Sequence, residues 1–325
     1  MKNMVLKKML CTTLAGAILL LAASCTPIDI SVENSAENSK AVSVISKEES
    51  SADESQSEDA VNSEEATSEE ESSEAVSVDT ELKIPTVITS DAVDSFFNDS
   101  IFVGHSVMLK YKRFVDNNRA SSVPDFLGNA KFFCAGSFGV YHNNHTPASK
   151  ADAVNPEYQG TKYSVQDMVG VANPKKVFIN LAGLNDMGIY SSAEICAEET
   201  AKEMIQILKD LSKDYPNVKV VVLSTTYMIK SYNSMKKLNN ENLSKMNNLI
   251  LDYCNENNID YVDVSTLLTE NGCLADKYCS DPTSGGCHLN DSGCLVWTGI
   301  LRNYAAKKIA GVYENPESMP MLSKG

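Results

Sequence analysis

The stretch that decides the fold is KVFINL, at residues 176–181. Its apolar residues run nearly consecutively instead of alternating with polar ones, which is typical of a strand buried on both faces. Similar runs occur at 101–103 (IFV), 131–134 (KFFC), 218–224 (VKVVVLS) and 259–264 (IDYVDV). We therefore predict five strands of one parallel sheet, because parallel sheets are covered on both faces.

Helical patterns separate these runs. Residues 192–213 carry apolar side chains at alternating steps of four and three, and Pro216 lies beyond their end, as expected for an amphipathic helix. Residues 164–172 begin with Ser164 as an N-cap and Asp167 three positions later. Further helices are expected at 107–115, 242–257 and 291–310. Strands and helices therefore alternate, which predicts an α/β fold with helices on both faces of the sheet.

Polar residues follow the predicted strands where parallel sheets carry their reactive groups, beyond the carboxyl ends. GHS at 104–106 follows the first strand, and Ser106 opens a helix whose N-terminal amide can stabilise an anion. GLND at 183–186 follows the third strand, and CHLN at 287–290 precedes the last helix. These loops supply a hydroxyl, an amide donor and an imidazole, which are the parts that acyl transfer needs.

Three longer segments contain these motifs: DSIFVGHS at 99–106, VFINLAGLND at 177–186, and HLNDSG at 288–293 followed by Trp297. In these segments the sequence resembles the SGNH/GDSL hydrolase family, in particular its exported members from Gram-positive gut bacteria. The resemblance covers residues 97–310. It implies a flavodoxin-like three-layer α/β/α sandwich, the SGNH hydrolase fold, which agrees with the order of elements. The pattern G-x-S-x-G, typical of α/β-hydrolases, is absent from the sequence.

The resemblance also implies roles for individual residues. Ser106 would be the nucleophile and His288 the general base. Asn185 and the backbone amide of Ser106 would form part of the oxyanion hole. The third donor would be the backbone amide of Gly139, with Gly136 as the alternative. Losing one such donor typically costs about 10²–10³ in rate.

Two positions depart from the family pattern. His105 stands where the family has Asp immediately before the nucleophile, and Gly285 stands where the acid of the triad is expected. Either Asp281 reaches His288 through a turn in the Gly-rich loop at 280–286, or a Ser-His dyad works with a backbone carbonyl orienting the imidazole. We favour Asp281 as the acid.

Further polar residues adjoin this constellation. His105 and Asp186 are candidate binding residues beside Ser106 and Asn185, and His105 is an alternative base only if two adjacent side chains align. The H-x-x-H motif at 142–145 has no further ligands at a suitable spacing, so its histidines are expected to flank the cleft, with no metal site and no cofactor. Three tyrosines are candidate sugar contacts, or else surface residues: Tyr141, Tyr227 and Tyr232.

Residues 31–80 differ in composition from the rest of the chain. They hold 15 Asp or Glu, 14 Ser and two Lys, and they account for −13 of the total net charge of −15. Such a segment cannot bury enough apolar surface to fold, so we expect a disordered tether, with cation binding as the alternative. The part from residue 81 onward carries a net charge of −4 and no basic patch, so no nucleic-acid partner is expected.

The N-terminus has the three parts of an export signal. Lys2, Lys7 and Lys8 precede an apolar run at 14–21, and small residues lead to Cys25. The apolar run is shorter than the ~20 residues that a membrane span needs. The ending LAASC resembles the lipobox of bacterial lipoproteins, in which cleavage leaves the cysteine to carry lipid; an ordinary cleaved signal is the alternative.

These observations predict four segments. They are a signal peptide at 1–24, an acidic tether at 25–82, a hydrolase domain at 83–315 and a C-terminal tail at 316–325. Cys25, bearing palmitate or a similar acyl chain, would anchor the protein on the extracellular face of the bacterial cell membrane.

Cysteines within the part expected to fold number seven: Cys134, Cys196, Cys254, Cys273, Cys279, Cys287 and Cys294. An odd number is notable, because an exported protein usually avoids unpaired thiols. Four of the seven lie within 273–294, at spacings that do not match the C-x2-C patterns of zinc sites. One disulfide in this group and free thiols in an anaerobic habitat are both compatible with the sequence.

The predicted function is a surface-anchored serine esterase that hydrolyses acyl esters, in particular O-acetyl esters, on small molecules, carbohydrates or cell-wall glycans. The reaction would run through a Ser106 acyl-enzyme with His288 as base, in a monomer. A lipase or an acyltransferase is the alternative among enzymes. His105 and Gly285 motivate a rival of another class, a non-catalytic glycan-binding lipoprotein on a degenerate hydrolase fold.

Overall fold

The computed structural model describes residues 90–121 and 123–325 of the chain. The predicted signal peptide at 1–24, the tether at 25–82 and the lipidated Cys25 lie outside the described residues. Among the residues that are described, no helix has both the length and the apolar character needed to cross a membrane.

A five-stranded parallel sheet forms the centre of the domain. Its strands in chain order are β1 Ser100–Gly104, β2 Lys131–Cys134, β3 Lys176–Asn180, β4 Lys219–Leu223 and β5 Asp260–Val262. They lie side by side in the order β2-β1-β3-β4-β5, which is the strand order of flavodoxin-like doubly wound folds. The predicted fold class is confirmed.

Seven α-helices occur in the described part of the chain: α1 Ser90–Ser95, α2 Ser106–Ser121, α3 Val140–His145, α4 Val165–Ala172, α5 Ala193–Asp214, α6 Asn240–Glu256 and α7 Asp291–Ala310. Ser164 caps α4 as predicted, since its Oγ accepts a hydrogen bond from the Asp167 amide at 3.1 Å. Helix α2 continues past its predicted end at residue 115. The side chain of Arg119, in this extension, donates to backbone carbonyls of the loop at 126–130. Such a tertiary contact cannot be predicted from the periodicity of apolar residues.

The two faces of the sheet carry different side chains and different helices. Ile101 and Val103 of β1 pack with apolar residues of α4, α5 and α6. Phe102, which lies between them, points to the other face and packs with α1, α2 and α7. Its ring stacks on Phe178 of β3, with ring centroids 4.6 Å apart. Because both faces are buried, the strands read as continuous apolar runs.

Helices α1 and α3 and two short hairpins are absent from the sequence-based assignment. The hairpins pair Glu157–Tyr158 with Thr161–Lys162 and Thr269–Glu270 with Cys273–Leu274. Each of their strands has two residues, which is too short for an alternating pattern to show. Helix α3 has six residues, and its start is stabilised by Asp186, a side chain distant in sequence.

The segment after α7 packs against the domain. Met319 is 3% exposed, and its backbone amide donates to Oδ1 of Asn248 on α6 at 2.9 Å. Farther along, the amide of Gly325 donates to the carbonyl of Asn233 at 3.3 Å. The predicted tail at 316–325 therefore lies against the domain and adds Met319 to its core.

Candidate active site

The turn between β1 and α2 places Ser106 at the carboxyl end of the sheet. Gly104 ends β1, and Ser106 is the first residue of α2. A Cβ on Gly104 would lie 2.6 Å from the carbonyl oxygen of Asn180 on β3 and 2.6 Å from Cβ of Met108. Close packing of this turn therefore requires glycine, and it fixes the position of Ser106, whose side chain remains partly accessible.

Ser106, His288 and Asp281 form a continuous hydrogen-bonded chain. Oγ of Ser106 lies 2.7 Å from Nε2 of His288, and Nδ1 of His288 lies 2.6 Å from Oδ2 of Asp281. The backbone amide of His288 also donates to Oδ1 of Asp281 at 3.0 Å, so both carboxylate oxygens are engaged. This is the order of groups in a Ser-His-Asp triad. Of the two arrangements left open by the sequence, the structure places a carboxylate against the imidazole.

The acid loop, residues 279–289, folds back on itself to bring Asp281 to His288. Its two arms meet in an antiparallel bridge, and the turn between them passes through Gly285 and Gly286. Their φ angles are +127° and +65°, a region that favours glycine because a Cβ clashes there. The Gly-rich sequence of this loop is therefore what allows Asp281, seven positions before the histidine, to serve as its partner.

The segment after β4 braces the acid loop from outside. The backbone amide of Ile229 donates to the carbonyl of Gly286 at 2.8 Å. A Cβ on Gly286 would lie 2.6 Å from Cγ1 of Ile229 and 2.6 Å from Cδ2 of Tyr232. The segment after β4 and the acid loop are therefore in direct contact at Gly286.

The environment of Asp281 keeps its carboxyl group ionised. Burial alone would raise its pKa, but the hydrogen bonds from the side chain and backbone of His288 outweigh burial and lower the pKa below its ordinary value. Sγ of Cys279 adds a further bond to Oδ1 at 3.3 Å. A carboxylate at Nδ1 fixes the imidazole with its lone pair on Nε2, facing Ser106, and stabilises the imidazolium form.

His105 is buried next to Ser106. Its side chain is 0% exposed, and its Nδ1 accepts a hydrogen bond from the amide of Val107 at 3.3 Å, in the first turn of α2. Burial, followed by the charge of His288, lowers the pKa of His105 to about 3, so the ring is neutral near pH 7. The structure gives His105 a capping position and not the expected place in a binding surface, because a fully buried ring has no access to a ligand.

Three donors at this edge of the sheet are candidates for the oxyanion hole. The amides of Ser106 and Gly139 donate to no group within residues 90–121 and 123–325, so they remain available to a ligand. Nδ2 of Asn185 donates to the carbonyl of Phe138 at 2.8 Å, which ties Asn185 to the peptide group that carries the Gly139 amide. Gly136 is exposed, and a Cβ there would meet no atom within 4 Å. The geometry favours Gly139.

Asp186 joins the loops that carry Asn185 and Gly139. It is 0% exposed, and its carboxylate accepts hydrogen bonds from the amides of Tyr141 at 3.0 Å and Gly183 at 2.9 Å. A Cβ on Gly139 would overlap Oδ1 of Asp186, so this approach requires glycine. Burial raises the pKa of Asp186 to about 6 despite the opposing backbone hydrogen bonds. Asp186 therefore holds two loops together, and its burial excludes the expected contact with a ligand.

His145 and Tyr141 of α3 have partners within the domain, whereas Nδ1 of His142 is buried without a hydrogen-bond partner among the described residues. Nε2 of His145 lies 2.7 Å from Oε1 of Glu203 on α5, and the His145 ring packs on Tyr141 with centroids 4.5 Å apart. Tyr227 is 1% exposed, so the prediction that it contacts sugar or lies on the surface is wrong. Tyr232 is half-buried beside the acid loop.

All seven cysteines in the described part are free thiols, and two of them flank Asp281. Sγ of Cys287 lies 3.8 Å from Nδ1 of His288, and Sγ of Cys279 contacts Asp281 as described above. Burial raises the pKa of Cys279 to about 11 and that of Cys287 to about 12. Reading the sequence for C-x2-C spacings misses this arrangement. The signal that would have predicted the arrangement is a pair of cysteines, Cys279 and Cys287, on either side of a hairpin turn with the sequence D-P-T-S-G-G.

The chain matches the model of the GDSL-like lipase/acylhydrolase family over residues 100–294. That range contains the hydrogen-bonded chain, the acid loop and the oxyanion-hole candidates. No curated protein matches the chain.

Solved structures give more distant similarities. A protein described as an acylhydrolase from Bacteroides fragilis is 17% identical, with 65% of this chain and 87% of that one covered and a TM-score of 0.46. A GDSL-like lipase from Bacteroides thetaiotaomicron is 14% identical, with 64% and 88% covered and a TM-score of 0.45. An acetyl xylan esterase is 18% identical, with 66% and 99% covered and a TM-score of 0.42.

Proposed function

The chain belongs to the GDSL-like lipase/acylhydrolase family, whose SGNH/GDSL members are serine esterases, and from this premise we propose that it hydrolyses O-acetyl esters of carbohydrates or cell-wall glycans through Ser106. One observation carries the proposal. Ser106 Oγ, His288 and Asp281 are linked by contacts of 2.7 Å and 2.6 Å in the order that nucleophilic catalysis needs. The alternative of a non-catalytic glycan-binding protein predicts that His288 points away from Ser106, and no observation on the site favours that alternative.

In the first half of the reaction, Nε2 of His288 accepts the proton of Ser106 as Oγ attacks the ester carbonyl carbon. The carbonyl oxygen becomes negative and is stabilised by the amides of Ser106 and Gly139 and by Nδ2 of Asn185. Asp281 stabilises the imidazolium that has formed. The imidazolium then gives its proton to the leaving alcohol, and the acyl group stays on Oγ.

In the second half, water replaces the alcohol. Nε2 of His288 accepts a proton from the water as its oxygen attacks the acyl carbonyl carbon, and the same donors stabilise the second oxyanion. The intermediate collapses when the imidazolium returns the proton to Oγ of Ser106. The acid is released, and the enzyme regains its starting state.

The substrate class rests on where the protein is expected to reside. The export signal, Cys25 in its lipobox and the acidic tether support a position on the outer face of the cell membrane. A flexible coil of roughly 50 residues spans on the order of 40 Å, and charge repulsion extends it further. Esters on glycans at or beyond the cell surface are therefore within reach of Ser106.

The test compares the wild type with Ser106→Ala on p-nitrophenyl acetate. The variant is expected to lose hydrolysis and to lose covalent labelling by a fluorophosphonate, because both need Oγ. Equal rates in the two proteins would overturn the serine-esterase assignment. To separate an acetylesterase from a lipase, the release of acetate from an acetylated glycan is compared with the hydrolysis of p-nitrophenyl esters of longer acyl chains. Transfer of the acetyl group to an added sugar hydroxyl would indicate an acyltransferase.

A further inference from the structure

One group of side chains at the acid loop combines the acid and base of the proposed triad with a thiol that esterase chemistry does not use, and together they have a metal-binding composition. A carboxylate oxygen of Asp281, Sγ of Cys287 and Nδ1 of His288 all lie within 4.8 Å of one another. Together they offer one oxygen, one sulfur and one nitrogen, a ligand set that suits a thiophilic divalent cation such as Zn²⁺. We propose that these three residues bind such a cation, and that its binding switches the esterase off.

The distances are compatible with this site after a small adjustment. Zinc bonds of about 2.0–2.3 Å put tetrahedral ligands roughly 3.3–3.6 Å apart. Sγ of Cys287 is already 3.8 Å from Nδ1 of His288. Nδ1 and Oδ2 of Asp281, at 2.6 Å, must separate by less than about 1 Å to admit the ion. Three protein ligands leave the fourth position to water, which is the arrangement of an open zinc site.

Access to the group is partial, so an ion can arrive from solvent. The side chain of His288 is 23% exposed and that of Asp281 is 15% exposed, while Cys287 is 9% exposed. Cys279, the other thiol near Asp281, contacts Oδ1 and is not part of the three-residue group. Cys279 therefore serves as the control for Cys287, because both thiols lie near Asp281 and only Cys287 is a proposed ligand.

Inhibition follows from the chemistry of the imidazole ring. In the working enzyme Nδ1 of His288 carries the proton and Nε2 has the free lone pair. A cation that takes the lone pair of Nδ1 shifts the ring proton to Nε2, which can then no longer accept the proton of Ser106. The metal also displaces the thiol proton of Cys287 to solvent, so binding releases one proton in all.

The inhibitory part of this inference rests on the proposed function, whereas binding can be measured without it. Cd²⁺ is added to the full-length protein, and its ultraviolet thiolate-to-metal absorption is recorded for the wild type, Ser106→Ala, Cys287→Ser and Cys279→Ser. The band is expected in all but Cys287→Ser. Its presence in Ser106→Ala, which is inactive under the proposed function, separates metal binding from catalysis.

Inhibition is measured with Zn²⁺ on p-nitrophenyl acetate, each variant being compared with its own metal-free rate. We expect wild type and Cys279→Ser to be inhibited alike, with recovery on adding EDTA. Cys287→Ser is expected to need more than ~10-fold more Zn²⁺ for the same inhibition. Mutation of a residue that only contacts a metal ligand already lowers metal affinity by that factor. Absence of the band from the wild type, a band without inhibition, or equal sensitivity in Cys287→Ser would each overturn the inference. Absence of hydrolysis with the band present would instead count against the proposed function.

Discussion

Asp281 is the residue whose role differs most between the two arrangements that the sequence allowed. As the acid of a triad it holds His288 in one tautomer, and its replacement by an amide in serine proteases lowers kcat by about 10⁴. We expect a loss of similar size in Asp281→Asn with Ser106 and His288 unchanged. The measurement is kcat on p-nitrophenyl acetate, and exposed Asp276 supplies the matched control, Asp276→Asn. A small loss in Asp281→Asn would favour a working Ser-His dyad.

Asp186 makes the stability of the domain depend on pH. Its pKa is about 6 in the folded protein against an ordinary value of 3.8, so the folded protein holds this proton more tightly than the unfolded chain. The stability linked to Asp186 is therefore complete below pH 3.8 and is lost as the pH rises through about 6. The shift corresponds to about 3 kcal/mol.

Replacing Asp186 by Asn removes this titration. The free energy of unfolding of Asp186→Asn, measured with urea across the same pH range, is expected to lack the decline that the wild type shows. Parallel curves for the two proteins would contradict the assignment of the pH dependence to Asp186. Activity measured on the same samples reports separately whether Asn still holds the two loops in place.

At the scale of elements, the two glycines after β2 differ in how closely other atoms approach them. A Cβ on Gly139 overlaps Asp186, whereas one on Gly136 meets nothing within 4 Å. Gly139→Ala is therefore expected to displace the candidate oxyanion-hole amide and to lower kcat by about 10²–10³, while Gly136→Ala keeps nearly full activity. Steady-state kinetics of both variants check this, and the reverse outcome would move the third donor to Gly136.

Sequence patterns correctly located the elements whose formation depends on residues within the element itself. Strands β1, β3 and β4 are almost fully buried, so each shows a nearly continuous apolar run such as 176–180, and the ends of all five strands were placed to within a few residues. The end of α2 and the whole of α3 were missed, because contacts distant in sequence stabilise them. Arg119, within the end of α2, donates to carbonyls of the loop at 126–130, and Asp186 accepts from the first turn of α3. Local periodicity contains no information about such contacts.

The candidate site divides in the same way. Ser106, Asn185 and His288 stand in motifs, and the sequence showed them directly. The place of Asp281 depended on a turn through two left-handed glycines, which the composition of the loop suggested but could not fix. Burial of His105 and Asp186 was not foreseen, because a polar residue beside a reactive one reads equally well as a binding group or as a support.

At the scale of the whole molecule, we propose that Cys25 sets where the enzyme works. Cys25→Ser is expected to move the protein from the membrane fraction to the soluble or secreted fraction and to abolish incorporation of labelled palmitate. The purified domain should retain its activity on p-nitrophenyl acetate, because the anchor is outside the described catalytic domain. Retention of Cys25→Ser in the membrane fraction would contradict lipid anchoring at this residue.

The acid loop has a consequence for how the enzyme responds to motion. Asp281 and His288 lie on the two arms of one hairpin, whereas Ser106 belongs to helix α2. If a substrate shifts the hairpin, the base and its counter-ion travel as one body, and only the distance to the nucleophile changes. Asp281 and His288 then stay in contact, so that substrate fit changes the distance of attack without separating the imidazole from its carboxylate.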